Sequence, residues 1–338
     1  MKIVFVNYSY GKTNRGAEIF VNELSKQLEK LGHKVDVVSA KREPLSRWPV
    51  LWRFYLDPQG IRIFLFSLGN LITIWKEKYE IVIPIDGGWE SYLMRVITWL
   101  YGGKLIISGQ SGKGWDDRIN LWSFPDTFVA LNERLFLWAK KWQPFINIKK
   151  IYNGVDLNEF SIKGDGLKTG MKRPLVLCVS ALTENKRIDL AIKSVSRING
   201  SLLVVGDGNL KSKLEIIGKK LLNENFKVMK FDHKDMPRVY RDADIFTFPT
   251  VWWESFGIAM VEAMASGLAV IATDDPIRRE IVGEAGLFVD PTDINQYARA
   301  LKKGLTMKWG IKPRQQAEKF SWEKIAKEYE KLFLEIIN

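Results

Sequence analysis

Short apolar runs alternate with helical patterns from the first residues of the chain onward. Residues 2–7 form an apolar, β-rich run, which predicts a buried strand. Apolar side chains then recur at steps of three and four over residues 17–31, and Gly32 follows where such a helix would end. Another apolar run begins at Val35. The N-terminal region is therefore predicted to be a strand, a helix and a second strand.

The same alternation continues along the rest of the chain. In the first half it predicts strands at residues 80–85, 104–108 and 127–131 and helices at 89–101 and 132–142. In the second half it predicts strands at 175–180, 202–205, 227–231, 245–249 and 269–273, with helices between them. Repeated strand–helix units favour parallel sheets covered on both faces. We therefore expect an α/β fold of two doubly wound, Rossmann-like domains, with a cleft where the carboxyl ends of their strands face each other.

The boundary between the two domains is predicted where neither the strand pattern nor the helix pattern continues. Residues 161–174 contain glycines among lysines, a composition typical of a linker. The first domain is thus expected at residues 1–162 and the second at 163–321. Residues 322–338 carry their apolar side chains on one helical stripe, and we expect this last helix to pack back on the first domain.

Length and cysteine content limit the class of protein. The 338 residues suffice for two packed cores. Cys178 is the only cysteine, which excludes a disulfide framework and a cysteine-rich metal site. Nothing at the N-terminus resembles a signal peptide, so a reducing cytoplasmic location is expected. The most apolar long stretch, residues 63–75, is shorter than the roughly 20 residues that a membrane-spanning helix needs.

Charge and aromatic residues point to an anionic partner. The formal net charge is +12, and nine of the 13 tryptophans lie in the first 150 residues. A basic surplus permits a nucleotide, an acidic membrane surface or nucleic acid as partner. Residues 41–75 interleave arginines with large aromatics, which suits peripheral contact with the inner face of an anionic membrane. They equally suit a helix that packs on the core and exposes a basic face, and both interpretations stay open.

The stretch after the predicted strand 245–249 carries the most specific chemistry. A helix is predicted to begin near Ser255 and to end at Gly267, and a helix start after a strand is a ready anion site. Gly257 lets a ligand approach the backbone closely. Glu254 and Glu262 are eight residues apart, roughly 12 Å along a helix, so one can hold a diol of a sugar and the other a diol of a ribose.

Further motifs accompany this pair of glutamates in a fixed order. They are Arg15-Gly16-Ala17-Glu18, Gly32-His33-Lys34-Val35, Tyr152-Asn153-Gly154-Val155-Asp156, Val179-Ser180-Ala181-Leu182 with Lys186, Val205-Gly206-Asp207-Gly208 and Ala243-Asp244-Ile245. Together with the two glutamates they resemble the retaining, nucleotide-sugar-dependent glycosyltransferases of family 4 (GT4), over nearly the whole chain. The resemblance implies the GT-B fold, in which two Rossmann-like domains face each other.

The resemblance also implies an activity and a set of site residues. A hexose would pass from a nucleoside-diphosphate donor, such as UDP- or GDP-hexose, to an acceptor hydroxyl on a glycan or glycolipid, without a metal or other cofactor. Glu254 and Lys186 would be catalytic, the first on the donor sugar and the second on the departing diphosphate, while Glu262 would hold the ribose. The remaining donor-binding residues would be Gly16, Arg187, Gly206, Phe256, Gly257 and Ile258.

Two positions depart from the family pattern. Where the family often has Gly-Arg-Leu, this chain has Ser180-Ala181-Leu182, so Arg187 or Arg15 would have to replace the phosphate-binding arginine. Many relatives carry a histidine in the N-terminal half of the cleft, whereas the corresponding region here contains Gln110 and Ser111. With Asp86, which follows a predicted strand, these two are the candidates for acceptor contact.

Other interpretations of the same residues are weaker. The two glutamates would, as an isolated pair, be expected to cap a helix and lie on its solvated face. Asp242-Ala243-Asp244 imitates a metal-binding motif but enters a predicted buried strand, so no metal is assigned. A non-catalytic protein that binds nucleotides or nucleic acid is the alternative function, although no nucleic-acid recognition motif occurs and nucleic acid is not expected as a partner. A dehydrogenase is disfavoured because no Gly-x-Gly-x-x-Gly opens a helix after a strand.

Overall fold

Two compact units make up the chain. The computed structural model describes residues 1–12 and 16–337. The first unit comprises Met1–Asn153 and Trp322–Asn338, and the second comprises Gly154–Ser321. Each unit is built on a six-stranded parallel sheet with helices on its faces. The expected α/β class with two Rossmann-like domains is confirmed.

The first unit contains strands β1 to β6. Its strands are β1 (Lys2–Val6), β2 (Lys34–Val38), β3 (Ile81–Pro84), β4 (Lys104–Ser108), β5 (Thr127–Ala130) and β6 (Asn147–Lys150), in the order β2-β1-β3-β4-β5-β6. Its helices are α1 (Gly16–Lys30), α2 (Pro58–Glu77), α3 (Trp89–Tyr101), α4 (Trp115–Trp122), α5 (Glu133–Trp142) and the last helix of the chain, α13 (Trp322–Ile337). The order changes direction between β1 and β3, so the loops after these two strands meet at one edge of the sheet.

Successive side chains of strand β1 pack into two separate cores, one on each face of the first sheet. Ile3 and Phe5 pack with α1 and α13 on one face, whereas Val4 and Val6 pack on the opposite face. Helix α13 seals the first of these cores, because Trp322 and Tyr329 lie against Phe20 with ring centroids 6.1 and 5.9 Å apart. The central strands β1, β3, β4 and β5 are thus buried on both faces, as in other parallel sheets.

The second unit repeats this plan with strands β7 to β12. Its strands are β7 (Leu175–Val179), β8 (Ser201–Val205), β9 (Phe226–Met229), β10 (Ile245–Phe248), β11 (Val270–Thr273) and β12 (Gly286–Val289), in the order β12-β11-β10-β7-β8-β9. Its helices are α6 (Ile188–Val195), α7 (Lys211–Leu222), α8 (Met236–Arg241), α9 (Ile258–Ala265), α10 (Pro276–Val282), α11 (Ile294–Thr306) and α12 (Lys312–Ala317).

The first unit ends at Asn153, earlier than the boundary predicted at residue 162. The intervening residues are fastened within the second unit, where Val155 donates its N–H to Phe320 O at 2.8 Å. Arg314 also donates to the carbonyl oxygens of Leu157 and Phe160, at 2.8 and 2.6 Å. The glycine-containing stretch 161–174 therefore follows the first residues of the second unit.

Helix α9 differs from its prediction. It begins at Ile258 rather than near Ser255, because Gly257 has φ +86° and so lies outside the helical region. It ends at Ala265, and Gly267 has φ +91°. The helix is therefore shorter than the sequence pattern indicates, and its first turn is formed by residues after the glycine.

Candidate active site

The candidate site lies where the strand order of the second sheet changes direction. β7 and β10 are neighbours, but the chain leaves β7 toward β8 on one side and leaves β10 toward β11 on the other. Ligands of open α/β sheets bind at such a point, outside the carboxyl ends of the strands. The loop after β7 leads to Lys186, and the loop after β10 leads to Glu254.

Lys186 and Glu254 form an ion pair at this point. Lys186 Nζ donates to Glu254 Oε2 at 2.6 Å, and the two side chains are only 15% and 18% exposed. A backbone bond from Val251 N to Asn185 O, 3.0 Å long, ties the two loops together. Two of the residues predicted to be catalytic are therefore in direct contact, and the carboxylate of Glu254 does not face bulk water.

A buried arginine that the sequence analysis missed supports the Glu254 loop. Arg278, at 0% exposure, donates from Nη1 to Glu254 O at 2.7 Å and from Nη2 to Val251 O at 2.5 Å. Its Nε lies 2.9 Å from Asp275 Oδ2, and Asp275 also caps the first turn of α10. Burial lowers the pKa of Arg278, and the neighbouring Asp275 carboxylate opposes that change. The Asp-Pro start of a helix is the only signal in the sequence near this residue.

Arg187 is bound to backbone carbonyls at the end of β10. Its Nε donates to Pro249 O at 2.8 Å, and its Nη2 donates to Thr250 O at 2.6 Å. The guanidinium is thus engaged in holding the loop after β10 and is only partly available to a phosphate group. The other candidate for the missing phosphate-binding arginine, Arg15, lies outside the described residues.

Glu262 is buried on α9 beside an aromatic residue and a histidine. Its side chain is 7% exposed, its Oε2 accepts from Tyr240 Oη at 2.7 Å, and its Oε1 lies 3.3 Å from His233 Nε2. Phe160 packs edge-on against both rings, with centroids 5.5 and 5.8 Å away. Burial raises the pKa of Tyr240 well above its usual value, and the carboxylate of Glu262 adds to this shift. Glu262 therefore does not lie on a solvated helix face.

The backbone between the two glutamates is closely packed. A Cβ at Gly257 would come within 2.9 Å of both Phe248 Cε1 and Met260 Cε. Phe256 is 1% exposed and packs edge-on against Phe320, with ring centroids 5.8 Å apart. Ile258 and Ala259, the first two residues of α9, have no carbonyl partners for their N–H groups within the helix, whereas Met260 N donates to Gly257 O at 2.9 Å. These donors follow Gly257 directly, as an anion site requires.

Gly206 has a packing role that explains its identity without a ligand. A Cβ there would lie 1.9 Å from Ser180 O, so the turn after β8 can pass the loop after β7 only as glycine. Contact of Gly206 with a donor stays a prediction.

The acceptor-side candidates end neighbouring strands of the first sheet. Asp86, after β3, accepts from Tyr8 N at 2.5 Å, and burial raises the pKa of Asp86 to about 6. Gln110, after β4, exchanges two hydrogen bonds with Asn153, at 3.2 and 2.9 Å. Ser111 is exposed, and Gly16 opens α1. The structure places these residues in the first unit, apart in the sequence from all the other predicted site residues.

Comparisons with known proteins bear on the class of this protein. Residues 164–322 match the model of the family described as glycosyl transferases group 1. The O-antigen biosynthesis glycosyltransferase WclY of Escherichia coli is 25% identical over 336 residues, which cover 93% of this chain and 84% of that protein. An uncharacterized glycosyltransferase of Methanocaldococcus jannaschii, MJ1607, is 28% identical over 211 residues, and the match spans only 53% of its length.

Solved structures show the same fold over nearly the entire chain. Anabaena Alr3699/HepE in complex with UDP has a TM-score of 0.74 at 16% identity and covers 99% of this chain and 100% of its own. The two sheets and this likeness define the GT-B fold. By the matches of its sequence, the chain is a glycosyltransferase. The predicted enzyme class is thereby confirmed.

Proposed function

We propose that this glycosyltransferase moves a hexose from a nucleoside-diphosphate sugar to an acceptor hydroxyl with retention at the anomeric carbon, as the GT4 resemblance implies. The observation that carries the proposal is the Lys186–Glu254 ion pair, 2.6 Å long, at the end of β7 and β10. Anabaena Alr3699/HepE, which shares the fold, has been crystallised in complex with UDP-glucose. A UDP-hexose is therefore the first donor to test, followed by a GDP-hexose.

Glu262 is suited to hold the ribose of the donor. Each of its oxygens has two lone pairs, and Tyr240 and His233 each approach one oxygen. The remaining lone pairs can accept from the two hydroxyls of a ribose. Because the phenol of Tyr240 keeps its proton at ordinary pH, it holds the carboxylate in one rotamer.

Lys186 and the first turn of α9 are suited to the diphosphate. The ammonium group has three protons, so it can keep its bond to Glu254 while it donates to a phosphate oxygen. The positive end of the α9 dipole adds to the attraction. Negative charge grows on the diphosphate as the C1–O bond breaks, and fixed donors placed there in advance lower the barrier.

Glu254 is suited to the sugar, whose ring becomes positively polarised as the leaving group departs. In the proposed reaction the acceptor oxygen forms its bond to C1 on the face that the diphosphate leaves, and the diphosphate accepts the acceptor proton. No separate base is then required. Asp86, Gln110 and Ser111 are proposed to contact the acceptor, a glycan or a glycolipid.

Turnover of UDP- and GDP-hexoses by site variants tests the proposal. We expect Glu254→Gln and Lys186→Met to lower kcat by roughly 10²- to 10³-fold, as when one group that stabilises charge in a transition state is removed. Glu262→Gln should act mainly on donor KM. Glu284→Gln, whose side chain is 90% exposed, is the matched control. Wild-type rates in the first two variants would refute the site, and an inverted anomer in the product would refute retention.

A further inference from the structure

The outer side of helix α2 exposes a continuous apolar stripe. Its members recur at steps of four and three and are between 46% and 65% exposed: Ile61, Leu65, Leu68, Ile72 and Trp75. The opposite side of the same helix supplies Ile63, Ser67 and Ile74 to the interior, and these three are at most 3% exposed. Helix α2 is thus apolar on two opposite sides, and packing within the unit accounts for only one of them.

The neighbouring helix α3 also exposes apolar side chains. Val96, Trp99 and Leu100 are 54%, 77% and 68% exposed. The two helices pack side by side, with the rings of Phe64 and Trp89 centred 5.6 Å apart. We call the eight exposed side chains of α2 and α3 the apolar face. Single exposed apolar residues are ordinary, but eight of them on two adjacent helices indicate an interaction surface.

Basic residues accompany the apolar face, and its acidic groups are neutralised or hidden. Arg62 and Lys76 are exposed on α2, and Lys78 follows its last residue. The carboxylates of α2 and α3 belong to Glu77, which is ion-paired with Lys2, and to Glu90, which is at 0% exposure. An apolar centre with a cationic margin complements a surface that is apolar inside and anionic outside. A second copy of the same face would instead bring like charges together.

The preceding segment has the same character. Trp48, Val50 and Phe54 are more than half exposed. Arg47 and Arg53 are their neighbours in the sequence and are also exposed. Trp115 of α4 donates its indole N–H to the carbonyl oxygen of Arg53, which fixes this segment to the first unit. The apolar and cationic character therefore extends beyond the two helices.

The exposure of helix α2 limits how it can meet a membrane. Within residues 1–12 and 16–337, no helix is both long and apolar enough to cross a bilayer. The inner side of α2 also packs against the core of the first unit. We propose that the apolar face enters the headgroup and outer acyl region of an anionic lipid bilayer, with α2 parallel to the membrane plane and Arg62, Lys76 and Lys78 on lipid phosphates.

Co-sedimentation with lipid vesicles tests this proposal. The complete protein is mixed with vesicles of phosphatidylcholine and phosphatidylglycerol, or of phosphatidylcholine alone. Wild type should bind the anionic vesicles, and Leu65→Gln/Ile72→Gln should lower its partition coefficient by about tenfold or more. Trp99→Gln/Leu100→Gln should have the same effect, and Arg62→Gln/Lys76→Gln should cost about fivefold per charge on anionic vesicles only.

Matched substitutions elsewhere provide the control. Ile216 and Leu221 on α7 are 70% and 42% exposed, so Ile216→Gln/Leu221→Gln removes comparable apolar surface from the second unit. This variant should sediment like wild type. Equal loss in this variant, or no binding by wild type, would overturn the proposal. A dimer in lipid-free solution that Leu65→Gln/Ile72→Gln converts to a monomer, without vesicle binding, would assign the face to a second copy and also overturn it.

The membrane proposal can be tested independently of the proposed reaction. Glu254→Gln should bind vesicles like wild type, because Glu254 lies in the second unit. Conversely, Leu65→Gln/Ile72→Gln should hydrolyse a soluble donor in the absence of lipid at the wild-type rate. A failure of either experiment therefore identifies which of the two proposals is wrong.

Discussion

Arg278 shows how a single side chain can fix a site that it does not enter. Its guanidinium binds two carbonyl oxygens of the loop that carries Glu254, while Asp275 balances its charge. The fork of an arginine can bind several acceptors at once, which the single ammonium of lysine cannot match. Arg278 is therefore a positioning residue for the Glu254 carboxylate.

Replacing Arg278 should destabilise the second unit. Arg278→Met leaves Asp275 and two carbonyl oxygens without their partner, and we expect a loss of about 3–5 kcal/mol in the free energy of unfolding. Arg278→Lys should recover part of this stability while kcat stays low, because Glu254 loses its fixed position. Urea unfolding and steady-state kinetics measure the two effects.

Arg279 is the natural control for that experiment. Its side chain is 57% exposed and pairs with Asp274 on the surface. Arg279→Met should change the free energy of unfolding by less than about 1 kcal/mol. If both variants lose the same stability, the buried bonds of Arg278 do not have the role assigned here.

At the scale of elements, the bounds of a helix or strand are predicted accurately where the apolar residues follow a single helical or strand spacing. The predicted helix 89–101 and strand 104–108 coincide with α3 and β4. Helix α2 was predicted only as one of two interpretations of residues 41–75, and without bounds, because it is apolar on two sides and no single helical stripe stands out. Strand β6 was not predicted because Ile148 is its only apolar residue, and β12 was not predicted either.

The candidate site was predictable in part for a related reason. Glu254, Glu262 and Lys186 stand in motifs whose spacing can be read directly. The bonds of Arg187 to carbonyl oxygens, the role of Arg278 and the contact between Tyr240 and Glu262 depend on residues far apart in the chain. No local pattern records such contacts, so only the folded chain reveals them.

Gly257 connects the glutamate loop to α9, and its replacement should harm both. Gly257→Ala places a Cβ at φ +86° and within 2.9 Å of Phe248, so we expect a loss of roughly 1–3 kcal/mol and weaker donor binding. Gly69→Ala, at an exposed position of α2 where a Cβ meets nothing within 4 Å, should instead stabilise the protein by about 0.5–1 kcal/mol. Thermal unfolding with and without UDP measures both, and stabilisation by Gly257→Ala would contradict the assigned backbone geometry.

At the scale of the whole molecule, the first unit is built from both ends of the described chain. Helix α13 follows the second unit in sequence but buries Trp322, Ile325, Tyr329 and Phe333 in the core of the first. At about 2 kcal/mol for each buried side chain, these four contribute roughly 8 kcal/mol, comparable to the stability of an entire domain. The first unit is therefore incomplete without α13.

Truncation separates the contributions of the two units. A chain of residues 1–321 should lose the cooperative unfolding of the first unit, whereas residues 154–321 alone should unfold cooperatively and bind UDP. Circular dichroism during heating, followed by UDP titration, distinguishes these outcomes. Cooperative unfolding of the first unit without α13 would show that the helix is an accessory rather than a part of that core.

The late position of α13 also sets an order of events at the ribosome. Residues 154–321 emerge as a continuous segment, so the second unit can reach its native state while synthesis is still in progress. The first unit must wait for the segment that begins at Trp322, and until then Phe20 and the core around it lack a cover. The first unit thus begins to emerge before the second and is completed after it, so its core stays open on one side while residues 154–321 are translated.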